Sequence, residues 1–135
     1  MHKTISLALL AAGLAAPAFA QDRTFQCTMT EACRQDGGGC VAENIPYNFT
    51  LNTETGEGEM EQREGNFFDG TAHESNGSLH FIFINSAGIE IGTITDAGDI
   101  IYTGNMALGD NLIHYRLNGT CTETTGGGGT GGGSK

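Results

Sequence analysis

Apolar and polar residues alternate in short stretches along most of the chain. In the first of these stretches Phe25, Cys27 and Met29 share one face, and Thr24 and Gln26 lie on the other. A period of two is typical of β-strands with one buried face. After the first twenty residues, no stretch of ten residues shows the period of a helix. The eight predicted strands are Arg23–Thr30, Tyr47–Asn52, Gly56–Gln62, Asn66–His73, Ser78–Asn85, Ile89–Thr95, Asp99–Thr103 and Leu112–Asn118.

Short Gly-rich and Asp/Asn-rich turns connect these strands, among them Asn76-Gly77 and Asp96-Ala97-Gly98. Such spacing predicts an all-β fold: one small antiparallel barrel of about eight strands in meander order, with a β-sandwich as the alternative. Gly70 is a candidate β-bulge. Ser78–Asn85 is apolar on both faces near its end, which favours a central strand.

The two ends of the chain differ from the middle. Residues 1–20 combine a positive start, an apolar run and Ala18-Phe19-Ala20, a pattern typical of a secretory signal peptide, with a membrane-anchoring helix as the alternative. Residues 125–135 are Gly-rich, which predicts a flexible tail. The β-domain is therefore expected over residues 21–124, in the periplasm or outside the cell.

Four cysteines, an even number in an exported chain, predict two disulfides. Of the three possible pairings we favour Cys33–Cys40, across a short flexible loop, with Cys27–Cys121 joining the first strand to the last. A zinc site is the competing interpretation, but the spacing contains no C-x-x-C pair.

The apolar residues on the predicted inward faces form either a packed core or the lining of a ligand cavity. They are Phe25, Met29, Tyr47, Phe49, Leu51, Met60, Phe81, Phe83, Ile113, Tyr115 and Leu117.

Charge narrows the choice of partner. The whole chain carries a formal net charge of −10. Residues 21–124 contain four Arg and no Lys. Nucleic acids and anionic membranes require clustered cations, so both are excluded as partners, and no membrane anchor is expected in the mature chain. Basic proteins, cations and neutral ligands remain.

The densest local charge is the acidic stripe, which we define as Glu57, Glu59 and Glu61. In a strand these three side chains project from one face about 6–7 Å apart. The stripe is the candidate binding surface for a basic protein or, alternatively, a site for a hard cation such as Ca²⁺. The plainer expectation is a solvated edge strand that its charges protect against pairing with another chain.

Residues for catalysis or metal binding do not form a recognisable set. No serine lies in a G-x-S-x-G motif, and the glutamates of the stripe lie in a very polar segment. His80 and His114 fall on outward faces, where they would form a metal site with Glu74 or Glu90 only if their strands were neighbours. We therefore expect no enzyme activity, catalytic residue, metal or cofactor.

Three segments carry a resemblance: Phe25-Gln26-Cys27, the loop from Cys33 to Cys40, and Gly119-Thr120-Cys121. Together they resemble small exported β-proteins of proteobacteria. The expected architecture is also similar to the periplasmic inhibitors of C-type lysozyme, small barrels with a disulfide between terminal strands. That family uses an S-G-x-x-Y type segment and a lysine, and residues 21–124 contain neither.

The sequence thus predicts an exported, non-enzymatic binding module with an acidic surface for a basic protein. A carrier that holds a small ligand inside the barrel and a periplasmic enzyme inhibitor are the two alternatives.

Overall fold

The structure of the protein, a computed structural model, describes residues 22–35 and 38–124. The predicted leader and tail lie outside these residues. Every predicted strand is present. The strands are β1 (Asp22–Arg34), β2 (Gly39–Asn52), β3 (Glu57–Gln62), β4 (Phe67–Ser75), β5 (Ser78–Ile84), β6 (Gly88–Ile94), β7 (Asp99–Leu108) and β8 (Asn111–Thr124).

The strands form a closed antiparallel barrel in which each strand pairs with the next along the chain, and β1 also pairs with β8. The fold is therefore the predicted all-β meander barrel and not the alternative sandwich. Short connections favour this order, because a tight turn places consecutive strands side by side. We call the end that holds the β1–β2, β3–β4, β5–β6 and β7–β8 turns the hairpin end, and the other the terminal end.

Strand lengths and the position of the bulge differ from the sequence prediction. β1, β2 and β7 extend beyond their predicted bounds toward the hairpin end, and β8 extends mainly toward the terminal end. The register of β1 shifts between Met29 and Glu31 against both neighbours. Gly70, the predicted bulge, instead pairs regularly with Gly58. A Cβ at Gly70 would collide with the Ile82 carbonyl oxygen and the Phe83 ring, so close packing explains this glycine.

Large side chains fill the barrel interior. Nine of the eleven predicted core residues are buried, and Ile113 and Tyr115 are partly buried. Phe49 lies at the centre, with its ring centroid 5.1 Å from Phe81 and 6.1 Å from Tyr102. Buried residues outside the predicted set are three glycines, Gly58, Gly92 and Gly104, together with Cys27, Cys33, Leu79, Glu90, Ile94, Ile100 and Tyr102.

Both predicted disulfides are confirmed. Cys27 lies directly opposite Cys121 in the β1–β8 pair, and their bond closes the barrel from inside. Cys33 lies opposite Cys40 in the β1–β2 hairpin. These bridges are compatible with an oxidising compartment outside the cytoplasm.

Closure of the barrel decides two strand interpretations. Because the barrel is closed, β3 pairs with β2 and β4 and is not an edge strand. β5 has a neighbour on each side, as expected of a central strand, but only its inward face is packed, and Ile84 is 72% exposed. The part of the chain that the structure describes has no helix of the length and hydrophobicity needed to cross a bilayer.

Candidate functional site

A groove with a volume of about 490 Å³ crosses the outer surface of β2, β3 and β4 and reaches the first residue of β1. Four carboxylates line it: Asp22, Glu57, Glu59 and Asp69. We call these four residues the acidic face. Thr50 and Asn52 complete the polar lining, and Gly58 and Gly70 form the floor.

The ladder of the barrel brings these carboxylates together. Glu57 and Glu59 project outward from β3, while Gly58 and Met60 between and beside them are buried. Asp69 of β4 lies directly opposite Glu59, and two like charges in that position repel each other. The sequence predicted the stripe along β3, but Asp22 and Asp69 join it only through the strand pairing.

Glu61, the third residue of the predicted stripe, has a different environment. It also projects outward, but it does not line the groove. Its carboxylate accepts hydrogen bonds from Asn48 Nδ2 at 3.0 Å and from the Gly65 backbone N–H at 3.1 Å. These bonds, the Asn48 bond foremost, lower the pKa of Glu61. Glu61 therefore fixes the β3–β4 turn, and its charge adds to the rim of the acidic face.

No cation neutralises the acidic face within residues 22–35 and 38–124. The ion pairs there both belong to Arg23, which contacts Glu123 at 2.8 Å and Glu74 at 3.4 Å across the terminal end. The guanidinium group also lies 5.2 Å from the Phe25 ring centroid. The hydrogen bond between Arg23 and Glu123 raises the pKa of Arg23 and lowers that of Glu123.

The histidine metal site does not form. His80 lies on β5 and His114 on β8, and these strands are not neighbours. His80 contacts Thr93 at 3.1 Å, His114 contacts Asn105, and Glu90 points inward. Within the described residues, the single group with metal-ligand geometry is Glu31, Cys33 and Cys40, and its two sulfurs are bonded to each other. A disulfide offers no thiolate, so the zinc alternative fails as well.

The interior holds a polar group, Glu90, that the sequence analysis considered only beside the outward-facing histidines. Glu90 of β6 is only 4% exposed and lies toward the hairpin end. Tyr115 donates a hydrogen bond to its Oε1, and Asn85 Nδ2 lies 3.4 Å from its Oε2. Tyr102 is packed between Tyr47 and Tyr115, at ring centroid distances of 5.5 and 6.4 Å. We call Glu90, Tyr47, Tyr102 and Tyr115 the Glu90–tyrosine cluster.

Burial and the charge of Glu90 hold the three phenols of this cluster in their neutral form. Burial contributes most to raising the pKa of Tyr47 to about 12, and the charge of Glu90 adds to it. The pKa of Tyr102 and that of Tyr115 are raised further for the same reasons, with the hydrogen bond to Glu90 the second largest cause for Tyr115. The Tyr102 hydroxyl is fully buried and makes no hydrogen bond of good geometry among the described residues, although Glu90 lies close enough to add to the rise of its pKa as an acceptor.

The one sequence signal for an inward-facing Glu90 is Gly92, which lies on the same face of β6. The inward residues of β6 are Glu90, Gly92 and Ile94, which leaves Ile89 and Ile91 exposed. A Cβ at Gly92 would press against the Tyr102 ring at 3.2 Å and the Phe49 ring at 3.4 Å. Because the rings of Tyr102 and Phe49 occupy the space beside Gly92, the face of β6 that carries Gly92 must be the inward one. Alternation of hydrophobicity alone indicates the opposite face, the one with Ile89 and Ile91.

The fold and the candidate sites define a class: a disulfide-closed, eight-stranded antiparallel meander barrel with an acidic outer groove and a buried carboxyl group. Comparison of the chain with family models, with curated proteins and with solved structures gave no match.

Proposed function

We propose that the protein is an exported binding module that performs no catalysis and uses its acidic face to hold a basic protein. The observation that carries the proposal is the groove on β2, β3 and β4 whose four carboxylates have no ion-pair partner in the described part of the chain.

Structural explanations for this charge are weak. A closed barrel has no edge to protect, so the usual reason for a charged strand does not apply to β3. Glu59 opposite Asp69 destabilises the sheet, as like charges do in that position. Charges that destabilise the free protein are typical of a surface that gains favourable contacts when a partner binds.

The groove matches the chemistry of Lys and Arg side chains. A lysine or arginine that enters it would meet carboxylates from three strands, β1, β3 and β4, and the polar side chains of Thr50 and Asn52 of β2. Several carboxylates around one groove attract a basic partner over a distance and accelerate association at low salt. Ca²⁺ is the alternative occupant, because it binds several carboxylate oxygens.

The test is binding of the mature, oxidised chain to decalysine, measured by calorimetry at two salt concentrations. The variant Glu57→Gln/Glu59→Gln/Asp69→Asn removes three charges of the acidic face. We expect it to weaken binding at least tenfold and to reduce the dependence on salt.

A matched control removes the same number of charges elsewhere. Glu43→Gln/Asp96→Asn/Asp110→Asn changes three exposed residues outside the groove. If this control weakens decalysine binding as much as the groove variant does, net charge and not the acidic face is responsible, and the proposal fails. If calcium instead abolishes decalysine binding to the wild type and does not affect the residual binding of the groove variant, Ca²⁺ is the alternative occupant of the groove.

The location proposed for this module is the periplasm or the exterior of the cell. The leader-like pattern of residues 1–20 and the two disulfides support it. Pull-down from a periplasmic extract at low and at high salt would then recover the partner, and a complex indifferent to salt would contradict an electrostatic partner.

The inhibitor alternative rests on the barrel and its bridge between terminal strands, which the resemblance to the C-type lysozyme inhibitors implies. A C-type lysozyme is accordingly the first basic enzyme to assay. Loss of lysozyme activity that the groove variant abolishes would make inhibition the specific form of this function.

A further inference from the structure

We propose that the hairpin end of β6, β7 and β8 binds a long-chain carboxylate, with the hydrocarbon chain in an apolar groove and the carboxylate group beside Arg34. The groove shares no lining residue with the acidic face, so the two proposals are independent. The site also differs from that of a carrier with its ligand inside the barrel, because large side chains fill the interior.

The apolar groove has a volume of about 730 Å³, and we define it by Ile89, Ile91, Met106, Leu112 and Ile113. The volume falls within the range of about 300–1,000 Å³ that is usual for small-molecule sites. Leu112 is 90% exposed, Ile89 46% and Ile91 40%. Large apolar side chains that gather at one exposed place favour binding of a molecule that covers them, and a hydrocarbon chain does so.

Strand register creates the groove. The isoleucines of β6 lie outward because the face with Gly92 is the inward one. β6 begins at Gly88, which pairs with Met106, whereas β7 and β8 continue beyond this pair to their turn. The β7–β8 hairpin therefore projects past β6 and carries Leu112 on its projecting part. The groove lies where this hairpin meets the outer surface of β6.

A positive charge lies at one end of the apolar groove. A smaller cavity of about 260 Å³ shares four lining residues with the groove, and Arg34 completes its lining. Within residues 22–35 and 38–124, Arg34 has no ion-pair partner. Its guanidinium group can bind both oxygens of a carboxylate, and the neighbouring Gln35 side chain can donate a further hydrogen bond.

The charges around the two cavities favour an anion, in contrast to the rest of the barrel surface. The whole chain has 16 Asp and Glu against 6 Lys and Arg, but no carboxylate of the described residues lines either cavity. The acidic face and the groove around Arg23 at the terminal end each contain several carboxylates. An apolar groove that ends at one arginine is complementary to an amphipathic monoanion, of which a long-chain carboxylate is the simplest example.

The test is calorimetric titration of the mature, oxidised chain with dodecanoate, kept below the concentration at which it forms micelles. We expect one site with a Kd of roughly 10–100 µM, because ligands of this size gain only a modest binding energy per heavy atom. If dodecanoate does not bind, the proposal is overturned.

Dodecyltrimethylammonium separates recognition of the carboxylate from unspecific binding of a detergent. It carries the same hydrocarbon chain on a cationic head group, and the net charge of −10 favours it wherever binding is unspecific. We expect it to bind at least tenfold more weakly than dodecanoate. Equal or tighter binding of this cation would contradict a carboxylate site.

Two variants with matched controls locate the site. Arg34→Gln should weaken dodecanoate binding at least fivefold, and Arg63→Gln, at an arginine that lines neither cavity, should leave it unchanged. Leu112→Asn should also weaken it at least fivefold, and it should fold normally because Leu112 is so exposed. Ile101→Asn is its control, at a residue that is 52% exposed and outside both cavities. A control that loses as much affinity as its partner variant refutes this location.

Vesicles distinguish a free carboxylate from a membrane as the occupant. Co-sedimentation of the chain with phosphatidylglycerol and with phosphatidylcholine vesicles is measured in parallel. We expect neither to retain the chain, because one arginine cannot hold an acidic protein on an anionic surface and a neutral surface offers it no charge. Retention that Leu112→Asn abolishes would show that the groove docks on a bilayer, and the proposal of a free ligand would fail.

Discussion

At the scale of single residues, two neighbouring phenols of the barrel interior, with ring centroids 6.4 Å apart, are expected to contribute to stability in opposite directions. Tyr115 donates a hydrogen bond to Glu90, and Tyr102 donates none among the described residues. Leaving a buried polar group unpaired is unfavourable, whereas a bond to a charged group is among the stronger ones in proteins. The same chemical change at these two positions should therefore give opposite results.

Tyr102→Phe should raise the free energy of unfolding by about 1 kcal/mol, because it removes a buried hydroxyl that makes no hydrogen bond of good geometry. Tyr115→Phe should lower it by about 1.5–3 kcal/mol, because it removes a donor to a buried carboxyl group. Urea unfolding followed by circular dichroism measures both. Equal losses for the two variants would show that Tyr102 is hydrogen-bonded after all.

The tyrosines also predict how stability depends on pH. Their pKa values in the folded chain lie above the ordinary value of 10.0, at about 12 for Tyr47 and higher for the other two. An unfolded chain releases these protons from about pH 10, while the folded chain keeps them. The stabilising contribution is thus complete below pH 10 and is lost as the pH rises toward 12 and above.

Stability at pH 11 should therefore be lower than at pH 8, and tyrosinate absorbance should appear together with unfolding. Absorbance and circular dichroism recorded on the same alkaline titration test this. Tyrosinate formation near pH 10 with the fold intact would contradict the buried positions of all three side chains.

At the scale of the strands, the two disulfides differ in the length of chain that they close. Cys27–Cys121 spans 94 residues and Cys33–Cys40 spans 7. On the loop-entropy account, removing the first bridge with Cys27→Ala/Cys121→Ala should lower stability by about 4–5 kcal/mol, and removing the second about 2.5 kcal/mol. Urea midpoints of the two double variants compare them, and a larger loss for the short bridge would contradict this account.

Sequence alone predicted the strands well, because apolar and polar residues alternate clearly where one face of a strand is buried and the other is exposed to solvent. Phe25, Met29 and Phe49 show this on the first two strands. The prediction failed where pairing with neighbouring strands determines the position of a residue. The register shift beside Thr30 depends on how β1 pairs with both β2 and β8, and Asp69 joins the acidic face only because it pairs with Glu59.

The same limit applies to the buried site. Ile89 and Ile91 are apolar and exposed, whereas Glu90 between them is polar and buried. The rings of Phe49 and Tyr102, which come from β2 and β7, occupy the space beside Gly92 and thereby fix the orientation of β6. Phe49 and Tyr102 lie 43 and 10 positions from Gly92 in the sequence. They determine that Glu90 faces inward, which the local pattern of β6 cannot show.

At the scale of the whole molecule, the barrel carries different surfaces on different sides. Its β2, β3 and β4 side holds the acidic face, and its β5, β6 and β7 side exposes several isoleucines, including Ile84, Ile91 and Ile101. A basic partner on the acidic face would leave the isoleucine side free. The groove variant and its control, each with the same change in charge, test whether position or total charge governs binding.

The pairing of β1 with β8 has a consequence for chain connectivity. Thr24 lies opposite Thr124, and the Thr124 hydroxyl donates to the Thr24 carbonyl oxygen at 3.1 Å. The two ends of the barrel domain are therefore neighbours, and a short linker can join them while the exposed turn at Asn76-Gly77 is opened instead. In such a circular permutant Cys27 and Cys121 become near neighbours along the chain, so the bridge that now contributes most by loop entropy would contribute little. We expect this permutant to form the same barrel, which would show that the fold does not depend on the order of the strands along the chain.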